Sequence, residues 1–237
     1  MFTFKQFRVE QDRTAMKVGT DGVLLGAWAE GGATILDVGT GTGLIALMMA
    51  QRFEEAEVLG IDIDKDACLQ ARDNVLASPF ASRISIRHSS LQAFDETAFS
   101  ESDKWSRGFD AIVSNPPYFE HSLKNPDAGR AKARHSDSLP FADLFGGVGR
   151  LLADNGVFSA IVPTESLEHF CAEAVFSGFF LSRRYDVKTT PNKPAKRCLV
   201  AFRRHRPELF DRREVCLQDA DGNRSEWYQA LTENFYL

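Results

Sequence analysis

Thr34-Ile35-Leu36-Asp37-Val38-Gly39-Thr40-Gly41-Thr42-Gly43-Leu44 reads as a buried strand that breaks into a glycine-punctuated turn and enters a helix over Leu44–Phe53. Three glycines allow tight turning and close approach of backbone to a ligand. The dinucleotide fingerprint spaces its glycines G-x-G-x-x-G and seats a pyrophosphate at the helix N-terminus. Here the spacing is G-x-G-x-G, and Asp37 stands two residues ahead of the first glycine. A carboxylate there would repel pyrophosphate and would suit a cationic amino group.

Outward from this turn, short apolar runs alternate with helical patterns. Strands are expected at Glu57–Asp62, Ile84–His88, Phe109–Asn115, Gly156–Val162, Phe179–Val187 and Arg197–Arg203. Helices are expected at Lys65–Leu76, Leu139–Leu152, Glu165–Phe176 and Ser225–Phe235. Such alternation predicts an α/β fold with a doubly wound, mainly parallel sheet covered on both faces. Right-handed crossovers leave few topologies, and ligands bind such sheets at the carboxyl ends of the strands. One domain is expected: a cap segment over 1–33, a core over 34–203 and a C-terminal extension over 204–237.

Composition narrows the class. The 237 residues are 43% hydrophobic, enough for one substantial core. A net charge of −5 argues against a protein that coats nucleic acid generically. Most of the 19 Phe residues are expected to be core packing. Cys68, Cys171, Cys198 and Cys216 form no C-x-x-C pair and have no His cluster nearby, so no metal site is expected. No run approaches the roughly 20 apolar residues of a membrane span.

Two further strand ends carry chemistry. Asp62 lies 19 residues after Gly43 and is placed to accept hydrogen bonds from both hydroxyls of a ribose. Asp64 suits the N-cap of the next helix, which leaves Asp62 free for a ligand. After the fourth strand comes Asn115-Pro116-Pro117-Tyr118. An exocyclic amine on a base is a poor nucleophile because its lone pair is spread into the ring. Acceptors on its two N–H groups would localise that lone pair, and the Asn115 carboxamide oxygen and the Pro116 carbonyl can be those acceptors. The prolines fix the backbone, and Tyr118 offers a flat face for stacking.

Together these motifs resemble the class I S-adenosylmethionine-dependent methyltransferases that act on amino nitrogen, and most closely the bacterial tRNA (adenine-N6) methyltransferase family, which modifies the adenine beside the anticodon of valine tRNA. The likeness runs over nearly the whole chain. It includes Phe4-Lys5-Gln6-Phe7, Met16-Lys17-Val18-Gly19-Thr20-Asp21-Gly22, the glycine loop, Asn115–Tyr118 and the ending Trp227–Leu237. The resemblance implies a Rossmann-like sheet of seven strands with the last antiparallel. It implies S-adenosyl-L-methionine as cofactor, with Lys17, Thr20, Asp21 and Gly22 capping its methionine end. Asp37, Gly39, Gly41 and Gly43 would form the loop under it, with Asp62 and Ile63 on the ribose and Asn115 near the methyl group. Relatives often carry an acid after the third strand to meet the cofactor's adenine. This chain has His88-Ser89-Ser90-Leu91, so Ser90 and Leu91 are the expected contacts.

Two basic stretches break the acidic average and suit the phosphates of a tRNA anticodon region. One carries Lys124, Arg130, Lys132 and Arg134. The other spans Arg183–Arg206 and places Lys193, Lys196 and Arg197 beside the active end. A cytoplasmic, monomeric enzyme is expected. Protein-glutamine and rRNA guanine-N2 methyltransferases share parts of the pattern but commonly carry an extra domain. A nicotinamide dehydrogenase or a non-catalytic ligand-binding module would give Asn115–Tyr118 no role.

Overall fold

The computed structural model describes residues 1–14, 16–94, 105, 107–117 and 139–236. The chain opens with a small antiparallel hairpin, β1 (Phe2–Thr3) and β2 (Arg8–Val9), followed by α1 (Thr20–Trp28). The core then runs β3 (Thr34–Val38), α2 (Leu44–Arg52), β4 (Glu57–Asp62), α3 (Lys65–Leu76), β5 (Ile84–His88) and β6 (Phe109–Ser114). After the undescribed segment come α4 (Phe141–Leu151), β7 (Leu152–Pro163), a 3₁₀ turn (Thr164–Ser166) and α5 (Leu167–Phe176). The chain ends with β8 (Phe180–Lys188), β9 (Arg197–Arg203), β10 (Asp211–Cys216) and α6 (Glu226–Thr232).

The sheet order is β10-β8-β9-β7-β6-β3-β4-β5. Strands β3 to β9 are the seven expected from the sequence, and β9 alone runs antiparallel to its neighbours β7 and β8. An eighth strand, β10, adds to the edge in parallel with β8. It was not expected because Asp211-Arg212-Arg213-Glu214 shows no apolar alternation. Those charges are what an edge strand needs, since they discourage pairing with another chain. Helix α1 likewise shows in the sequence only as part of the cap segment. Every residue from Gly22 to Trp28 is buried, so the helix is apolar on all sides and shows no amphipathic stripe.

Each central strand feeds two cores. Ile35 of β3 packs on one face with α1, α2, α3 and the N-terminal hairpin, whereas Leu36 and Val38 pack on the other with α4 and α5. In β9 Leu199 and Ala201 face the first layer, and Cys198, Val200 and Phe202 the second. The second layer is aromatic. Phe145 meets Phe158 and Phe202 edge-on at 5.4 and 5.5 Å between ring centroids, which favours the ring quadrupoles.

The chain steps from β3 outward through β4 to β5, then returns to β6 on the opposite side of β3. The carboxyl ends of β3 and β6 therefore form the switch point of the sheet, where a crevice opens.

The two terminal segments that narrow the family resemblance form one unit. Phe4 stacks on Phe7 and on Tyr236, at 4.7 and 6.0 Å. The Lys5 amide donates to the Phe235 carbonyl at 2.8 Å, and Gln51 of α2 donates to Asn234. Buried Asn74 on α3 joins this unit to the glycine turn. Its Oδ1 accepts from the Glu10 amide, and its Nδ2 donates to the carbonyls of Glu10 and Thr42. Asn74→Ala leaves three backbone groups unpaired. We expect a loss of roughly 3 kcal/mol and a Tm lower by roughly 10 °C in thermal unfolding. A Tm unchanged to within about 2 °C would contradict this stitching role.

Among the described residues no helix is long and apolar enough to cross a membrane, and no group of His, Cys, Asp and Glu is arranged to hold a metal ion.

Candidate active site

The turn after β3 is built by backbone geometry. Gly39, Gly41 and Gly43 have φ of 72, 55 and 80°, a region that L side chains rarely adopt. Gly43 is the N-cap of α2, and a methyl group added there would press on Ala71 of α3 at 3.3 Å. Asp37 holds the turn from beneath. Its Oδ2 accepts from the Thr40 hydroxyl at 2.7 Å and from the Ala46 amide at 3.1 Å.

The sequence placed Asp37 against a ligand's amino group. In the structure it is fully buried and lines neither compartment of the cleft described below; its Oδ2 is bonded within the loop and its Oδ1 has no partner among the described residues. Burial pushes its carboxyl up to about 7, the two hydrogen bonds oppose this, and the nearby Asp62 charge adds to it. The folded form thus binds a proton more tightly than the unfolded chain does. Asp37 contributes stability that is fully present below pH about 4 and is lost as the pH rises to about 7. Asp37→Asn is expected to remove that slope: the wild type loses stability relative to the variant between these values, by a few kcal/mol. Urea midpoints across the range test it, and parallel pH profiles for the two proteins would refute it.

Asp62 ends β4 and faces the same turn. Its Oδ2 accepts from the Gly41 amide at 2.8 Å and its Oδ1 from the Asp64 amide at 2.9 Å. Each oxygen keeps a further lone pair for a ligand. Asp64 caps α3, accepting from the amides of Asp66 and Ala67, as its position suggested.

Register brings the next piece into place. β3 and β6 pair in parallel with Val38 opposite Ser114, so Gly39 and Asn115 are the next residues on adjacent strands. The Ser114 hydroxyl donates to the Val38 carbonyl at 3.0 Å and locks this alignment. Asn115 is half-buried, Pro116 buried, and the Asn115 Nδ2 lies 3.8 Å from the Met16 sulfur.

A cleft of two joined compartments lies over these strand ends. One, of about 330 Å³, holds Lys17, Thr20, Asp21, Gly22 and Arg197 beside the glycine turn. The other, of about 320 Å³, holds Asp62, Ile63, Ser90, Leu91, Pro116 and Pro117. Met16, Gly39, Gly41 and Asn115 belong to both and mark the junction. Together they have the size of an ordinary small-molecule site. Ser90 Oγ accepts from the Ala93 amide at 3.1 Å, which leaves its proton for a ligand. Gly43 lines neither compartment and acts through the shape of the turn.

The basic residues divide. Lys193 and Lys196 are exposed on the turn between β8 and β9, at the carboxyl end of the sheet. Arg197, expected on the RNA surface, instead lines the first compartment and forms an ion pair with Asp21. Burial holds the Asp21 carboxyl above its usual range, with Arg197 acting the other way. Much of the remaining cluster is turned away and engaged elsewhere. Arg203 pairs with Glu30 at 2.6 Å, and Arg204 donates to the carbonyls of Gly149 and Leu152 near the end of α4. Tyr118, Lys124, Arg130, Lys132 and Arg134 lie outside the described residues. Several cleft residues, among them Thr14, Met16, Gln92 and Leu139, are not assigned to the site by the sequence. Met16 carries no polar signal, and Leu139 falls at the edge of a helical pattern.

The model of the methyltransferase small domain matches residues 18–137. A tRNA1(Val) (adenine(37)-N6)-methyltransferase from Phocaeicola vulgatus is 46% identical over all of this chain and 97% of its own length. One of the same name from Pseudoalteromonas translucida is 40% identical over all of this chain and 98% of its own. Among solved structures, a predicted O-methyltransferase from Agrobacterium tumefaciens superposes with a TM-score of 0.67 at 19% identity, covering 91% of this chain and 96% of that one. The ribosomal protein L11 methylase of Lactobacillus delbrueckii gives 0.55 at 19% identity, covering 84% and 86%. These two show a shared fold, while the full-length likeness to the curated relatives goes further: the chain belongs to the family of tRNA1(Val) (adenine(37)-N6)-methyltransferases.

Proposed function

We propose that this chain transfers the methyl group of S-adenosylmethionine to the exocyclic N6 of an adenine in tRNA, at position 37 of a valine tRNA as in its named relatives. The observation that carries this reading is the pairing of Val38 with Ser114, which sets the Asn115-Pro116 step beside the glycine turn at the switch point.

The residues of the cleft fit the donor. Asp62, with a lone pair left on each oxygen, suits the two ribose hydroxyls, and Ser90 and Leu91 suit the adenine. Lys17, Thr20, Asp21 and Gly22 suit the charged amino-acid end. When bound there, S-adenosylmethionine supplies an electrophilic methyl group on a sulfonium.

The chain's own residues do the rest by positioning. The Asn115 side-chain oxygen and the Pro116 carbonyl accept the two N–H groups of the target amine and draw its lone pair out of the ring. Each such bond contributes roughly 1–3 kcal/mol where water is excluded. No strong base is needed before transfer, because the nitrogen becomes acidic once methylated and water takes the proton. An adenine in a loop is already partly unstacked, so flipping it into the cleft costs little. Tyr118 follows directly in sequence and is assigned to stack on it.

Lys193 and Lys196 stand where phosphates of the anticodon arm would approach, and Lys124, Arg130, Lys132 and Arg134 are assigned the same task. Replacing Lys193 and Lys196 together by Gln is expected to weaken tRNA binding uniformly. The slope of log affinity against log salt should fall by roughly one per charge removed. Filter binding measures this, and an unchanged slope would show that the turn does not meet RNA.

Incubation of total tRNA lacking the modification with methyl-labelled donor, followed by nucleoside analysis, tests the whole reading. Label in N6-methyladenosine is expected. Label only in another nucleoside, or only in protein, would replace it.

A further inference from the structure

We infer that Arg197 serves the methyl donor and not the RNA: with Asp21 it recognises the zwitterionic amino-acid head, and so selects ligands that carry that head over ligands with the adenosine part alone. This rests on the donor reading above and assigns a specificity-determining residue that sequence position had placed elsewhere.

Asp21 stands in the first turn of α1 and Arg197 is the first residue of β9, so two distant parts of the chain meet across the compartment. Their side chains are only 24% and 34% exposed. Burial raises the Asp21 carboxyl in spite of the guanidinium beside it, so the pair stands largely out of water. Removing an ion pair from water is costly, and such a pair is a weak source of stability. Its value at a cleft wall lies in what it presents.

A lone anion or a lone cation entering here meets one attractive and one repulsive charge. An amino-acid head brings both signs a short distance apart. Its ammonium can lie by Asp21 and its carboxylate by Arg197, so that four charges alternate and each gains a second opposite neighbour. Lys17 adds to the carboxylate side. Its ammonium donates to the Gln11 carbonyl and keeps two further protons. The N-terminus of α1 in the same wall has no side-chain cap, so its first amides also favour an anion.

The second compartment has the opposite character. Among its described lining residues there is no Lys or Arg, while Asp62 and Asp64 are present. A carboxylate head has no counter-charge there. The charge pattern thus fixes the direction of the donor along the cleft and turns its sulfur toward the shared residue Asn115.

Binding of S-adenosylhomocysteine and of 5′-methylthioadenosine, which keeps the adenosine and the sulfur but lacks the head, measures this by calorimetry. The wild type is expected to prefer S-adenosylhomocysteine. Arg197→Gln should weaken that ligand at least about tenfold, the worth of one charge-assisted hydrogen bond, while 5′-methylthioadenosine and tRNA keep their affinities within about twofold. Asp21→Asn is expected to show the same selective loss and carries the test if the first variant does not fold. Retained 5′-methylthioadenosine binding reports an intact cleft. Equal weakening of both nucleosides, no change in either, or a loss confined to tRNA would overturn the inference. A wild type that binds neither nucleoside would overturn the donor reading and the inference together.

Discussion

Asn115→Ala is expected to lower kcat by roughly 10²- to 10³-fold while the affinity for S-adenosylhomocysteine stays within about threefold. The carboxamide sits at the end of β6, beside the junction of the two compartments, and its backbone position is held by the β3–β6 register and by the Ser114 hydroxyl. The substitution removes an acceptor for the target amine without disturbing Asp62 or the glycine turn. Asn115→Asp makes the complementary point. It keeps an oxygen but places a negative charge beside a reacting centre that must accept electron density at sulfur, and partial activity is expected. Single-turnover transfer to tRNA separates chemistry from release. Near-normal single-turnover rates in Asn115→Ala would show that the amine is held by other groups.

Asp62→Ala acts on the opposite side of the balance, in binding. The carboxylate has two duties: it receives the Gly41 and Asp64 amides, and its remaining lone pairs face the second compartment. Its removal frees the loop and takes the ribose partner away at once. A loss of about 100-fold in donor affinity is expected, from two charge-assisted hydrogen bonds that are shared between loop and ligand. Unlike the Arg197 variant, this one should weaken S-adenosylhomocysteine and 5′-methylthioadenosine by the same factor. Calorimetry decides it. Discrimination against only the head-bearing ligand would mean that Asp62 does not meet the ribose.

The two variants rely on features with different visibility in the sequence. The strand ends were legible because the constraints are local: glycines at 39, 41 and 43 answer to positive φ, Asp64 to a helix cap, and Asn115-Pro116 to a rigid turn after an apolar strand. The mainly parallel sheet followed from alternation, and the reversed β9 from the family resemblance. What stayed hidden depends on distant partners. Asp37 looks like a surface ligand residue in the sequence, whereas the fold buries it and engages its Oδ2 with Thr40 and Ala46, leaving only Oδ1 without a partner. Arg197 looks like one more charge in a basic run until α1 brings Asp21 across the cleft. Helix α1 carries no periodic pattern because the sheet, α2 and the C-terminal helix leave it no polar side. Strand β10 is polar because it borders solvent at the sheet edge. In each case the missing information was which element would lie alongside.

Methyl transfer here requires one convergence, of the glycine turn after β3 with the Asn115-Pro116 step after β6. A crystal structure of the protein with S-adenosylhomocysteine tests it most directly. The prediction is a ligand spanning both compartments, its adenine at Ser90, its ribose on Asp62, its head between Asp21 and Arg197, and its sulfur turned toward Asn115. A ligand lodged elsewhere, or one with its sulfur facing away from Asn115, would contradict it.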